Sequence, residues 1–173
     1  MDFKDGINFK LMNRIMEQLS ISLTHYSKLL VVRLDFHCHR EERTNRLISN
    51  LFKQITNKLK RLYQCIIGYV WVREQTDSSK RPHYHTALIF NGHKVYHPSK
   101  IIKKIMADIN LNPYMTCFVP EHCFYQVHRN DLESQQALIY RLSYLAKNNT
   151  KETCPHQTKN YQISRNKPHE PNR

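Results

Sequence analysis

The chain has 173 residues, 40 % apolar and 24 % charged, the balance of one soluble globular domain and not of a disordered or membrane-embedded chain. Its 27 lysines and arginines against 14 aspartates and glutamates leave a net charge of +13, which favours a polyanion as partner, nucleic acid first. No apolar run nears the roughly 20 residues of a membrane span, no secretory signal layout opens the chain, and five irregularly spaced cysteines form no C-x-x-C pair, so the expected setting is the cytoplasm, with reduced thiols and no membrane partner.

In chain order, residues 9–19 carry Leu11, Ile15 and Leu19 four apart and are predicted helical. Residues 28–36 (KLLVVRLDF) read as a buried strand. The clearest helix spans 42–63, where Leu47, Leu51, Ile55 and Leu59 recur every four residues opposite a basic face. Residues 65–74 form a second strand, 75–82 a polar turn, and 83–90 a third strand, the two strands making a hairpin around a long basic loop. Ser99 is placed to cap a helix over 100–109. Short strands are expected at 115–119 and 123–127, and Asp131 caps a helix from 132 to about 147. The domain is therefore assigned to 1–150, and the basic, proline-containing residues 151–173 read as a disordered tail. This order does not alternate strand and helix strictly. It predicts an α+β fold, an antiparallel sheet with helices mainly on one face.

Three glycines in the whole chain exclude a glycine-rich phosphate loop. The chemistry sits elsewhere. In Arg81-Pro82-His83-Tyr84-His85-Thr86, alternation along a strand turns His83 and His85 to one face. Glu74 closes the preceding strand, and a hairpin would return it beside them. Two imidazoles and a carboxylate suit a divalent cation with positions open to a phosphate, Mg²⁺ or Mn²⁺ above all, with zinc left open by ligand type. A second group follows at Tyr140-Arg141-Leu142-Ser143-Tyr144-Leu145-Ala146-Lys147. On a helix, Tyr140 and Tyr144 stand one turn apart and Lys147 one turn beyond. A phenol with a pKa near 10 is only about one part in a thousand ionised at pH 7. It needs a positive neighbour such as Lys147, and its phosphate target needs a Lewis acid. Lys80, Arg81, Lys94 and Arg141 flank these motifs in sequence and are candidate phosphate contacts. Tyr69, Trp71, Tyr84 and Phe90 are candidate base-stacking rings, with Trp71 equally readable as a core residue. His37 and His39 read as surface or DNA-contacting residues.

The pairing of His83-Tyr84-His85 with a downstream Tyr140-x-x-x-Tyr144-x-x-Lys147 resembles the HUH endonuclease superfamily of rolling-circle initiators, relaxases and related transposases. Within it, residues 25–150 look most like the filamentous-phage gene II-type family, which includes the YagK/YfjJ C-terminal domain. The resemblance implies an RRM-like sheet with the site on its open face. It implies His83, His85 and Glu74 as ligands of Mg²⁺ or Mn²⁺, and Tyr144 as a nucleophile forming a 5′-phosphotyrosyl link that frees a 3′-OH. Tyr140 is implied either as a second nucleophile or as a DNA-positioning group, and Lys147 as an assistant at the phosphate. The implied partners are single-stranded DNA at a replication origin and the host helicase and polymerase. The alternative from a different class is an RRM-like nucleic-acid-binding module without catalysis.

Overall fold

The computed structural model describes residues 6–76, 79–148 and 158–170. Its elements are α1 (Phe9–His25), β1 (Lys28–Cys38), α2 (Arg46–Tyr63), β2 (Gly68–Thr76), β3 (Ser79–Asn91), α3 (Ser99–Asn110), β4 (Met115–Phe118), β5 (Phe124–His128), α4 (Leu132–Ser143), a 3-10 turn (Tyr144–Ala146) and β6 (Tyr161–Ile163). The strands make a six-stranded antiparallel sheet in the order β4-β1-β3-β2-β6. β5 continues the β4 edge, so the pair lines the two halves of β1. At the interruption between them, around Pro120, Arg33 donates its backbone N–H to Cys123.

The apolar run of β1 is continuous because helices cover both of its faces. Leu30, Val32, Leu34 and Phe36 pack with the buried stripes of α2 and α3. Leu29 and Val31 pack with Leu11, Ile15 and Leu19 of α1 and Leu138 and Leu142 of α4. This corrects the expectation of helices mainly on one face. Four amphipathic helices need more apolar sheet than one face offers.

Other boundaries also shift. α1 runs on to His25, with Asn8 accepting from the Leu11 amide at its start. α2 begins at Arg46, because Arg73, itself fully buried, draws the carbonyls of Glu42 and Thr44 to its guanidinium and keeps that segment out of the helix. Pro98, not Ser99, stands at the head of α3. The hairpin has no long loop: Thr76 pairs with Ser79, so the polar residues read as a turn are mostly ladder.

The disordered reading of 151–173 is corrected over its described part. β6 pairs with β2, and Ser164 donates its amide to Tyr69 and its hydroxyl to Gln18. Residues 149–157 and 171–173 lie outside the described residues. Among the described residues, no helix is long and apolar enough to cross a membrane.

Candidate metal and nucleophile site

On β1, β2 and β3 the same face that carries Leu29 and Val31 turns polar at one end. The register sets Asp35 against His85, His37 against His83, and Glu74 against His83 from the other side. Period-two alternation therefore collects Arg33, Asp35, His37, Glu74, His83 and His85 on one surface.

Glu74, His83 and His85 converge, each offering one ligand atom, all within 4.8 Å of one another. Glu74 Oε2 accepts from His83 Nε2 at 3.0 Å and from His85 Nε2 at 3.2 Å. Burial alone would raise the Glu74 carboxyl, but the two imidazoles overturn this and hold it well below the ordinary carboxylate range. His85 is 8 % exposed, and burial alone would lower its pKa. The carboxylates of Asp35 and Glu74 reverse that, and it is pushed up to about 9. Asp35 Oδ1 stands 2.9 Å from His85 Nδ1, placing a carboxylate on the side of the ring away from the Nε2 that faces Glu74. His37 stacks against His83 with centroids 5.3 Å apart; burial first, then His83, lowers its pKa.

Such a donor set fits a hard divalent cation. Two atoms each about 2.1 Å from an octahedral ion sit about 3.0 Å apart, close to the His83–Glu74 spacing.

Tyr144 covers this cluster. Its ring meets His85 edge to face at 5.4 Å, with Lys147 Nζ 4.9 Å from the ring centroid and the Arg33 guanidinium 5.5 Å from it. The predicted helix through 147 ends instead at Ser143 and tightens into the 3-10 turn. Here the N-terminal segment clips the chain: Asn8 donates its amide to Ala146, and Asn148 donates to Gly6. The clip seats Tyr144 and Lys147 over the sheet. Tyr140 is 55 % exposed, so the two tyrosines differ in setting although they stand one turn apart.

The candidate phosphate contacts divide. Arg81 alternates with His83 and lies on the site face, while Lys80 points the other way; both are exposed. Arg141 donates to the Glu121 carbonyl and lies near enough to Arg33 to lower its pKa further, after burial and against Asp35. The Nε donors of both arginines are buried without a partner among the described residues. Lys94 is at the opposite end of β3, where it caps α2 through the Gln64 carbonyl. Tyr84 and Phe90 are core residues and present no ring to a base, which corrects their reading as stacking rings, and Trp71 takes the core alternative. Phe118, 61 % exposed and stacked on His37, is the ring the site does present.

The sequence reading passed over Arg33 and Asp35 and took His37 only as a surface or DNA-contacting residue. The signal was there: three polar residues at alternate positions of an otherwise apolar strand must share one face.

Fold and site together define an α+β protein whose antiparallel sheet carries a two-histidine, one-glutamate cluster under a tyrosine. Residues 1–164 match the YagK/YfjJ C-terminal domain, and the chain belongs to that family. It is 27 % identical over 177 aligned positions to the uncharacterized protein YagK of Escherichia coli (strain K12), covering 78 % of this chain and 83 % of that protein.

Proposed function

We propose that this protein is a site-specific single-strand DNA endonuclease and strand transferase of the HUH type, initiating rolling-circle replication. The observation that carries the reading is Tyr144 seated against His85, 5.4 Å between rings, above the Glu74–His83–His85 cluster.

The reaction is a transesterification. Tyr144 Oη attacks the scissile phosphorus, the bond from phosphorus to the 3′ oxygen breaks, and the phenolic proton is replaced on that oxygen. The products are a 5′-phosphotyrosyl link and a free 3′-OH, able to prime synthesis; reversal rejoins a strand. Glu74, His83 and His85 would hold Mg²⁺ or Mn²⁺, which when bound polarises the phosphate oxygens. Asp35 places a carboxylate beside the His85 ring. Lys147 and Arg33 place positive charge beside the phenol. Phe118 offers a stacking face to a neighbouring base.

The test is incubation with labelled single-stranded oligonucleotides tiling a candidate origin, with Mn²⁺, resolved on a denaturing gel. A covalent protein–DNA band lost with EDTA and with Tyr144→Phe is the expected result. Tight binding without a covalent band on any strand would replace this reading with a non-catalytic binding module.

A further inference from the structure

At the far edge of the sheet, β6 forms the floor of a groove of about 890 Å³. α1 and α2 lie on opposite faces of the sheet and wall this edge. Lys10 and Arg14 come from α1, Lys60 from α2, and Lys159 and Arg165 from the segment that carries β6. All five are exposed, and no acidic residue lines the groove. Arg14 is partly engaged by Glu17 at 3.5 Å; the other four have no carboxylate partner among the described residues. Tyr69 and Tyr161 are half-buried in its wall.

The floor is built firmly. Asn45 donates to the Lys159 carbonyl, Asn166 to that of Ile67, and Gln162 to the Tyr69 hydroxyl. β6 also ties the groove to the site: Tyr161 pairs with Val72, two residues along β2 from Glu74. That is a step of about 7 Å. Cations on an edge strand do guard against strand addition. Guarding does not need cations from two helices on opposite faces of the sheet, converging with tyrosines on one groove.

We propose that this groove holds the phosphodiester backbone of single-stranded DNA leading into the Glu74–His83–His85 site. The choice of DNA rests on the nicking reading; the groove's charge and shape do not. Cations spaced along a groove with two tyrosines in its wall match a single strand, whose bases are free to stack, better than a duplex.

The experiment measures fluorescence anisotropy of an oligothymidine of about 20 nucleotides against the full chain, with EDTA and in the Tyr144→Phe background, so that no cleavage intervenes. Lys10, Lys60, Lys159 and Arg165 are changed together to Gln. A control variant changes Lys53, Lys100, Lys103 and Lys104 to Gln, the same charge removed elsewhere. The groove variant is expected to bind at least about tenfold more weakly, with the slope of log K against log salt smaller by about 3, near 0.7 per lost phosphate contact. The control variant is expected to keep most of both. Equal losses in the two variants, or none in either, overturn the proposal. So does an equal or larger effect on a duplex of the same length, and so does an effect confined to binding of phosphatidylserine vesicles. Thermal melts by circular dichroism establish that each variant is folded. Groove binding without any covalent adduct in the nicking assay would sink the nuclease reading alone.

Discussion

Asp35 Oδ1 stands 2.9 Å from His85 Nδ1, across the imidazole ring from the Nε2 that meets Glu74. The two residues are direct neighbours in the β1–β3 register, so the sheet itself sets the pair. An Asp35→Asn substitution keeps the shape and removes the charge. Partners of this kind usually account for about 10- to 100-fold in metal affinity or activity. Mn²⁺ affinity by isothermal titration is expected to fall within that range while the far-ultraviolet spectrum is unchanged. An unaltered affinity would show that His85 is held by packing alone.

Tyr140 and Tyr144 separate in the folded chain in a way their spacing does not reveal. Tyr144 lies against His85 in the 3-10 turn, whereas Tyr140 is 55 % exposed. Tyr140→Phe is expected to form the covalent DNA adduct at close to the rate of the unaltered protein in a single turnover, and Tyr144→Phe to form none. A comparable loss in both would place Tyr140 in the first cleavage step.

The contrast shows what a linear reading reaches. His83, His85 and Glu74 were legible because alternation and hairpin return are local rules, and the ladder obeys them. Most helices were legible from four-residue periodicity. Asp35 and His37 join the site only through the pairing of β1 with β3, a contact between residues about 50 apart in sequence. β6 was illegible for a related reason. Three residues in a polar, basic stretch carry no periodic signal, and their order comes from β2 and α1. Lys94 seemed close to the histidines in sequence, but a strand of 13 residues carries it to the other end of the sheet.

Burial pushes the Cys38 thiol up to about 11 and the Cys117 thiol up to about 12, from an ordinary value of 9.0. The reactive species is the thiolate. Both thiols are expected to resist iodoacetamide in the native protein at about pH 8 and to react fully in urea, read by mass spectrometry of peptides. The linkage has a definite sign. Above pH 9 the unfolded chain gives up these protons before the folded one does, so the folded state binds more protons and stability falls as pH rises toward 11 and 12. Urea midpoints are expected to be flat in this respect below about pH 8.5 and to decline above it. Rapid native labelling of Cys117 would contradict its place in the core.

Ending the chain after residue 157 tests whether the last described segment belongs to the fold. Removing it uncovers the β2 edge at Val70 and Val72, deletes buried Ile163, and leaves the Arg73 amide without the Asn160 carbonyl it donates to. Burial of a side chain such as isoleucine contributes about 1.5 to 3 kcal/mol, and each net hydrogen bond about 0.5 to 1.5. The shortened chain is therefore expected to lose about 3 kcal/mol or more in urea unfolding and to aggregate with rising concentration through its open edge. Superimposable unfolding curves would mean that β6 adds nothing to stability. The groove would then need another reason for its order, because a floor that contributes no folding energy has no cause to stay fixed without a ligand. Loss of stability on truncation, together with intact folding of the groove's charge variants, would separate two parts of one segment: its pairing with β2 and buried Ile163 hold the fold, and its exposed Lys159 and Arg165 do not.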